Sequence, residues 1–290
     1  VVVAHDLRGT LDRQLQIRER KRAETRLKKT MQALESERNI LRTKQELFNA
    51  ELALARSIQQ QLLPVRIREE TIGIFFRPLE ELGGDFFDFL EMEDSLGIFM
   101  SDVSGHGVPA ALISAMVKSI LLQSRSAWAD PAALLAAVNR TLCGQTGGNY
   151  VTALYGVYDR KRRTFRYANA GHPSPWRIPA GDAPVRQFAD EARAVPLGIW
   201  DNEEISRLGK EWKNMELALT PEEKLFFYTD GLVEAEKNGS SFGERHLPQL
   251  LARHRAGSAA DLVLALSRAR FRFRADSDSE DDICMICITG

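Results

Sequence analysis

The sequence predicts an α+β protein: a long N-terminal helix, then a sandwich of β-sheets flanked by helices. Three observations carry this. Residues 11–61 contain no proline and no glycine and are dominated by Arg, Lys, Glu, Gln, Leu and Ala, the composition of a long helix. After Pro64 the texture changes to short apolar runs (IGIFFRP, LGIFMSDV, ALYGVYD, FRYANAG, EKLFFYTDG and ICMICI) with the length and residue types of strands. Helical patterns, PAALISAMVKSILLQSR, DPAALLAAVNRTL and DLVLALSRARFRF, are interspersed among them. Many strands in mostly hairpin-like succession with few helices indicate sheets covered by helices rather than alternating βαβ units.

Taken in order, VVVAHDL reads as the last strand of an upstream domain, so residues 1–10 are expected to be its remnant in a piece of a longer protein. In residues 11–63, apolar positions step by four and three: Leu27, Met31, Leu34, Leu41, Phe48, Leu52, Ala55, Leu62. Arg38, Gln45 and Gln59 fill the remaining core slots. Sustained a/d spacing predicts a coiled coil, most simply a parallel homodimer whose polar core residues set its register. A plain spacer helix is the alternative. The basic stretch RERKRAETRLKK is read as a solvated helix face. Pro64 ends the helix, and residues 64–290 form the compact domain.

Composition narrows the function classes. Thirty-nine Lys and Arg against 40 Asp and Glu leave a net charge of −1, without the basic surplus of a nucleic-acid binder. A hydrophobic fraction of 44% excludes a disordered chain. Three cysteines give no disulfide framework and fit a reducing compartment. Cys284 and Cys287 lie three apart in ICMICI, on opposite faces of a strand, which favours core packing over a shared metal. No run of 18 apolar residues spans a membrane and no signal peptide is visible, so a cytoplasmic location is expected, with membrane attachment open only through missing upstream regions.

The aspartates sit where strands end. Asp85 and Asp88 occur in LGGDFFDF, Asp102 in IFMSDVSGHG, Asp230 in LFFYTDGLVEA, and Asp281 with Asp282 directly before the last apolar run. Any one alone reads as a turn residue or a helix cap. Gathered in space, such carboxylates repel and raise one another's pKa values, and two divalent cations resolve the conflict. An all-oxygen donor set suits Mg²⁺ or Mn²⁺ rather than zinc.

The motifs GGDFFDF, SDVSGHGVPAALISAMVK, NYVTALYGVYD, YANAGHPSPW, VPLGI, LFFYTDGLVEA with FGERHL, and DDICMICI together resemble bacterial PPM (PP2C-like) serine/threonine phosphatases of the SpoIIE/RsbU type. The resemblance runs from about residue 57 to 290, opening on ARSIQQQLLP. It implies two antiparallel β-sheets sandwiched between helices and a centre of two Mn²⁺ or Mg²⁺ ions. Its ligands carry over as Asp85, Asp102, Asp230 and Asp281, with the Val103 backbone carbonyl and with Asp282 as the alternative to Asp281. It implies hydrolysis of phosphoserine or phosphothreonine by water activated between two metals, with His106 in SGHG the candidate general acid. His106 differs in spacing from the corresponding histidine of eukaryotic members, and a turn-stabilising role is the other reading. His172 is read as a structural turn histidine, and Arg77 as either a phosphate contact or a surface residue.

The resemblance further implies a phosphorylated STAS-domain anti-sigma-factor antagonist as substrate in a partner-switching pathway, and an upstream sensor domain joined through the helical linker. Two departures from the family pattern, Cys284 in place of a Thr and Asn149-Tyr150 in place of an apolar pair, remove no expected ligand. Two rivals are carried. LGGDFF resembles the GGDEF signature of diguanylate cyclases, but Phe86 replaces its acidic residue and the downstream motifs have no place there. A catalytically inactive pseudophosphatase scaffold would keep the fold without the chemistry.

Overall fold

A computed structural model describes residues 2–64, 71–79, 82–189, 193–237, 240–273 and 281–290. The chain divides into two units, Val1–Leu54 and Ala55–Gly290.

The first unit is helix. Helix α1 (Val2–Leu62) begins near the start of the chain, so residues 2–7 are helical and not the strand expected there. Three valines favour a strand weakly, but the following residues are helix formers, and a helix already running tolerates one glycine, Gly9, at about 1 kcal/mol. The heptad side chains are exposed along the single chain: Leu27, Met31, Leu34, Leu41 and Phe48 each keep more than half of their surface.

In the second unit the last turn of α1 leads to Leu63, which packs against two of the hydrophobic clusters. There follow β1 (Ile72–Arg77), β2 (Phe86–Glu91), β3 (Ser95–Val103), α2 (Val108–Gln123), α3 (Pro131–Leu142), β4 (Val151–Asp159) and β5 (Thr164–Ala170). Four short strands, β6 (Trp176–Ile178), β7 (Arg186–Gln187), β8 (Arg193–Ala194) and β9 (Met215–Ala218), surround the small helix α4 (Asn202–Arg207). The chain continues through β10 (Lys224–Tyr228), β11 (Glu236–Lys237), β12 (Ser240–Ser241), α5 (Phe242–Arg245), α6 (Leu247–Arg253), α7 (Ala259–Phe273) and β13 (Ile283–Thr289).

The strands form two main sheets. One has the order β1-β13-β10-β6-β7; the other runs β2-β3-β4-β5-β8, with β9 also on β5. Both are antiparallel except for the β5–β8 pair. The apolar runs are continuous because both faces of the central strands are buried. Ile98 and Met100 face the core between the sheets, while Phe99 faces the layer of α2 and α3. In β13, Cys284, Ile286 and Ile288 face the central core, and Ile283, Met285 and Cys287 face α6 and α7. The two cysteines thus lie on opposite faces, each fully buried, as the strand period requires. The result is four layers, helix-sheet-sheet-helix.

Helix starts are chemically explicit. Asp130 accepts a hydrogen bond from the Ala133 N–H, with Pro131 in the first turn of α3. α2 starts after Gly107 in SGHG and places Pro109 in its first turn.

Candidate metal centre

The two sheets deliver aspartates to one common end. In one sheet, Phe86 of β2 pairs with Ser101 of β3, so Asp85 and Asp102 occupy the next positions on adjacent strands. In the other, Tyr228 pairs with Met285, and Thr229 donates its N–H to the Cys284 carbonyl at 3.1 Å. Asp230 therefore leaves β10 beside the point where Asp281 and Asp282 enter β13.

Thr229 stitches the two sheets. Fully buried, it donates its hydroxyl to Asp85 Oδ2 at 2.7 Å and accepts the Cys284 N–H at 2.9 Å. Asp282, 6% exposed, takes the Leu79 N–H on Oδ1 at 2.7 Å and the Asp85 N–H on Oδ2 at 3.3 Å. Both of its oxygens thus serve backbone donors of the loop before β2. Two glycines make the approach feasible. A Cβ on Gly83 would stand 2.2 Å from Asp282 Oδ2, and one on Gly84 would stand 2.8 Å from the Val103 carbonyl oxygen. The Gly84 carbonyl is in turn held by the Ser114 hydroxyl of α2 at 2.9 Å.

The electrostatics follow from this crowding. Burial, then the charges of Asp102 and Asp282, push the Asp85 carboxyl well above the usual range, against the lowering effect of the Thr229 hydroxyl. Burial, then the charges of Asp230, Asp281 and Asp282, push Asp102 up to about 7. Asp230 is raised by burial and by Glu234, and Asp281 is raised chiefly by burial. Carboxylate oxygens of Asp230, Glu234 and Asp281 come within 4.8 Å of one another. His106 is exposed in the SGHG turn near Asp281, whose carboxyl it lowers slightly against the larger effect of burial. The ammonium of Lys118 pairs with Asp88 at 2.7 Å. Oxygen donors so crowded, with their carboxyls raised by burial and by one another, fit hard divalent cations.

Of the residues singled out in the sequence, Asp85, Asp102, Asp230 and Asp281 are brought together, with the Val103 carbonyl beside Gly84. Asp88 is not part of the set; it lies within β2 and forms the ion pair with Lys118. Arg77 stacks over the Phe271 ring, 4.6 Å from its centroid. His172 is buried, its ring held near neutral by a pKa lowered to about 3, chiefly by burial. Its Nδ1 lies 3.0 Å from Thr152 Oγ1, and its backbone N–H is received by Asn169, consistent with a structural turn.

Glu234, Thr229 and Gln59 were not read as site residues from sequence. Glu234 lies one helical turn after Asp230, in a stretch where a surface glutamate is unremarkable by pattern. Gln59 was visible only as a polar interruption of the heptad; its side chain binds Gly83.

Comparisons with known proteins agree with this architecture. The chain is 26% identical over 232 residues to the phosphoserine phosphatase RsbU of Bacillus subtilis, covering 78% of this chain and 66% of that protein. It is 26% identical over 247 residues to the phosphoserine phosphatase RsbP of the same organism, covering 82% and 57%. The chain thus spans about three fifths to two thirds of these relatives. The solved SiaA-PP2C domain of Pseudomonas aeruginosa superposes with a TM-score of 0.74 at 23% identity, over 85% of this chain and 98% of that one. This likeness carries the PP2C fold and sets aside the cyclase reading of LGGDFF. The profile of the family described as Stage II sporulation protein E (SpoIIE) matches residues 92–289, and the chain belongs to that family of PP2C-type phosphatase domains.

Proposed function

We propose that this chain is a metal-dependent protein serine/threonine phosphatase that hydrolyses phosphoserine or phosphothreonine. The observation that carries the reading is the convergence of Asp85, Asp102, Asp230 and Asp281, with their carboxyls raised by burial, most of them further by one another's charges. These four, with the Val103 carbonyl, would hold two Mn²⁺ or Mg²⁺ ions. When bound, the ions supply an acidified water as nucleophile and neutralise charge on the phosphoryl oxygens.

The chain's own groups do the rest. Thr229 and Asp282 orient Asp85 through its carboxylate and its N–H. Gly84 leaves the Val103 carbonyl uncovered. His106, exposed beside Asp281, is read as the general acid that would give a proton to the departing serine or threonine oxygen. The buried cysteines sit in the core and Cys143 lies beyond the end of α3, so a thiol nucleophile has no support.

The substrate we infer is a phosphorylated STAS-domain protein in a partner-switching pathway, in line with the phosphoserine phosphatases RsbU and RsbP among the relatives. α1 is read as the dimerising linker to an upstream sensor, since its exposed heptad residues need a partner to bury them. Among the described residues no helix is long and apolar enough to cross a membrane, and we place the protein's work in the cytoplasm. The test is Mn²⁺-dependent hydrolysis of para-nitrophenyl phosphate and of a phospho-STAS protein. Turnover lost in Asp102→Ala and Asp230→Ala supports the reading. A wild-type chain that binds the phosphoprotein without any metal-dependent turnover is a pseudophosphatase scaffold instead.

A further inference from the structure

The loop that carries Asp85 is gripped from two sides. On one side stands Asp282, as described. On the other stands Gln59, in the last turn of α1, and its amide pairs with the Gly83 peptide group as a neighbouring strand would. Nε2 donates to the Gly83 carbonyl at 2.8 Å, and Oε1 accepts the Gly83 N–H at 3.3 Å. Gly83 is two residues from Asp85, and its missing Cβ is what lets Asp282 close from the far side. The side chain of Gln59 is half-buried, whereas its neighbour Gln60 is exposed.

The chemistry selects an amide. A carboxylate at this position could accept but not donate, a thioether could do neither usefully, and an asparagine is one methylene too short to reach both groups. In the heptad, Gln59 occupies a core slot where an apolar residue would be ordinary, and the Gly83 contact accounts for its polarity.

We propose that Gln59 is a positioning residue for the metal centre: by clamping Gly83 it holds the loop 83–85 so that the Asp85 carboxylate faces Asp102. The inference rests on the metal-centre reading above. Outer groups that orient ligands typically alter metal affinity by 10–100-fold when removed. Gln59 touches neither metal nor substrate and acts only through the loop.

The experiment uses the full chain with Mn²⁺ as the probe. Affinity is measured by calorimetry, and the Mn²⁺ concentration for half-maximal phosphatase activity is measured beside it. Gln59→Met is expected to weaken Mn²⁺ binding about tenfold, with the activity midpoint moving by the same factor and kcat at saturating Mn²⁺ largely kept. Gln59→Asn is expected to behave like Gln59→Met and guards against a folding defect in the latter. Gln60→Met is expected to match wild type. Affinity within twofold of wild type in both Gln59 variants overturns the proposal. So does a lowered melting temperature in EDTA with unchanged affinity, which would mark a merely structural side chain. A wild-type chain that binds no Mn²⁺ overturns the metal-centre reading itself, a result distinct from either of these.

Discussion

Replacing Asp102 by Asn separates the cost of the acidic cluster from its use. The Asp102 carboxyl is raised from 3.8 to about 7, first by burial and then by Asp230, Asp281 and Asp282. A raised carboxyl means that the folded, metal-free chain holds a proton that the unfolded chain releases near pH 4. Stability of the metal-free protein therefore falls as pH climbs from about 4 to about 7 and is flat above that. At about 1.4 kcal/mol per pH unit, the full shift corresponds to about 4 kcal/mol. That is an upper bound, because the neighbouring carboxyls share protons with Asp102. Half of it, about 2 kcal/mol, is a reasonable expectation, or about 4–8 °C for a domain of this size. Asparagine keeps the shape and cannot ionise. In EDTA at pH 8, Asp102→Asn should melt about 4–8 °C above wild type, and the gap should close toward pH 4. In millimolar Mn²⁺ the order should reverse, because metal binding needs the carboxylate and stabilises only the chain that binds it. Thermal melting followed by circular dichroism at the two pH values, with and without Mn²⁺, reads all of this. An Asn variant less stable than wild type in EDTA at pH 8, or stabilised equally by Mn²⁺, would refute the reasoning.

Three further outcomes are expected. Asp281→Asn should abolish Mn²⁺-dependent turnover without lowering the melting temperature in EDTA, whereas Asp282→Asn should cost stability of about 1.5–3 kcal/mol by weakening its bonds to the Leu79 and Asp85 N–H groups; denaturant titration distinguishes them. Lys118→Met strands the buried Asp88 carboxylate, at about 3–5 kcal/mol, and the double variant with Asp88→Asn should recover most of that loss in the same titration. Leu34→Pro breaks α1 at about 3 kcal/mol or more and should convert a sedimenting dimer to monomer while the melting transition of the phosphatase domain stays in place.

Much of the fold is legible because strands buried on both faces write unbroken apolar runs. β3, β4, β10 and β13 fall on such runs, whereas β1 leaves Ile74 and Arg77 exposed and β5 leaves Arg166 exposed, and these two are legible from their aromatic residues instead. β2 has no unbroken run either, since FFDFLE carries Asp88 in its middle, and the charge is tolerated only because Lys118 reaches it from a helix 30 residues away. Strands β6 to β9 are two to four residues long, too short for a period to register. The valines of VVVAHDL favour a strand, yet the cooperative helix that follows extends back to Val2. At the site, the four aspartates are visible because each adjoins an apolar run or a Gly-Gly turn. Gln59 and Glu234 leave no such trace, because their partners are set by tertiary approach and not by local sequence.

Strand geometry also bears on the proposed roles of Asp281 and Asp282. Successive residues entering a strand point to opposite sides. Asp281 and Asp282 directly precede β13, and their carboxylates take different partners. Asp281 is the one whose oxygens meet those of Asp230 and Glu234. Asp282 spends both oxygens on Leu79 and Asp85, and is buried beneath the loop it organises. On the metal-centre reading proposed above, Asp281 would hold a cation while Asp282 holds the loop that carries Asp85. Exchanging the two roles would require β13 to slip by one residue, which would turn Cys284, Ile286 and Ile288 out of the central core.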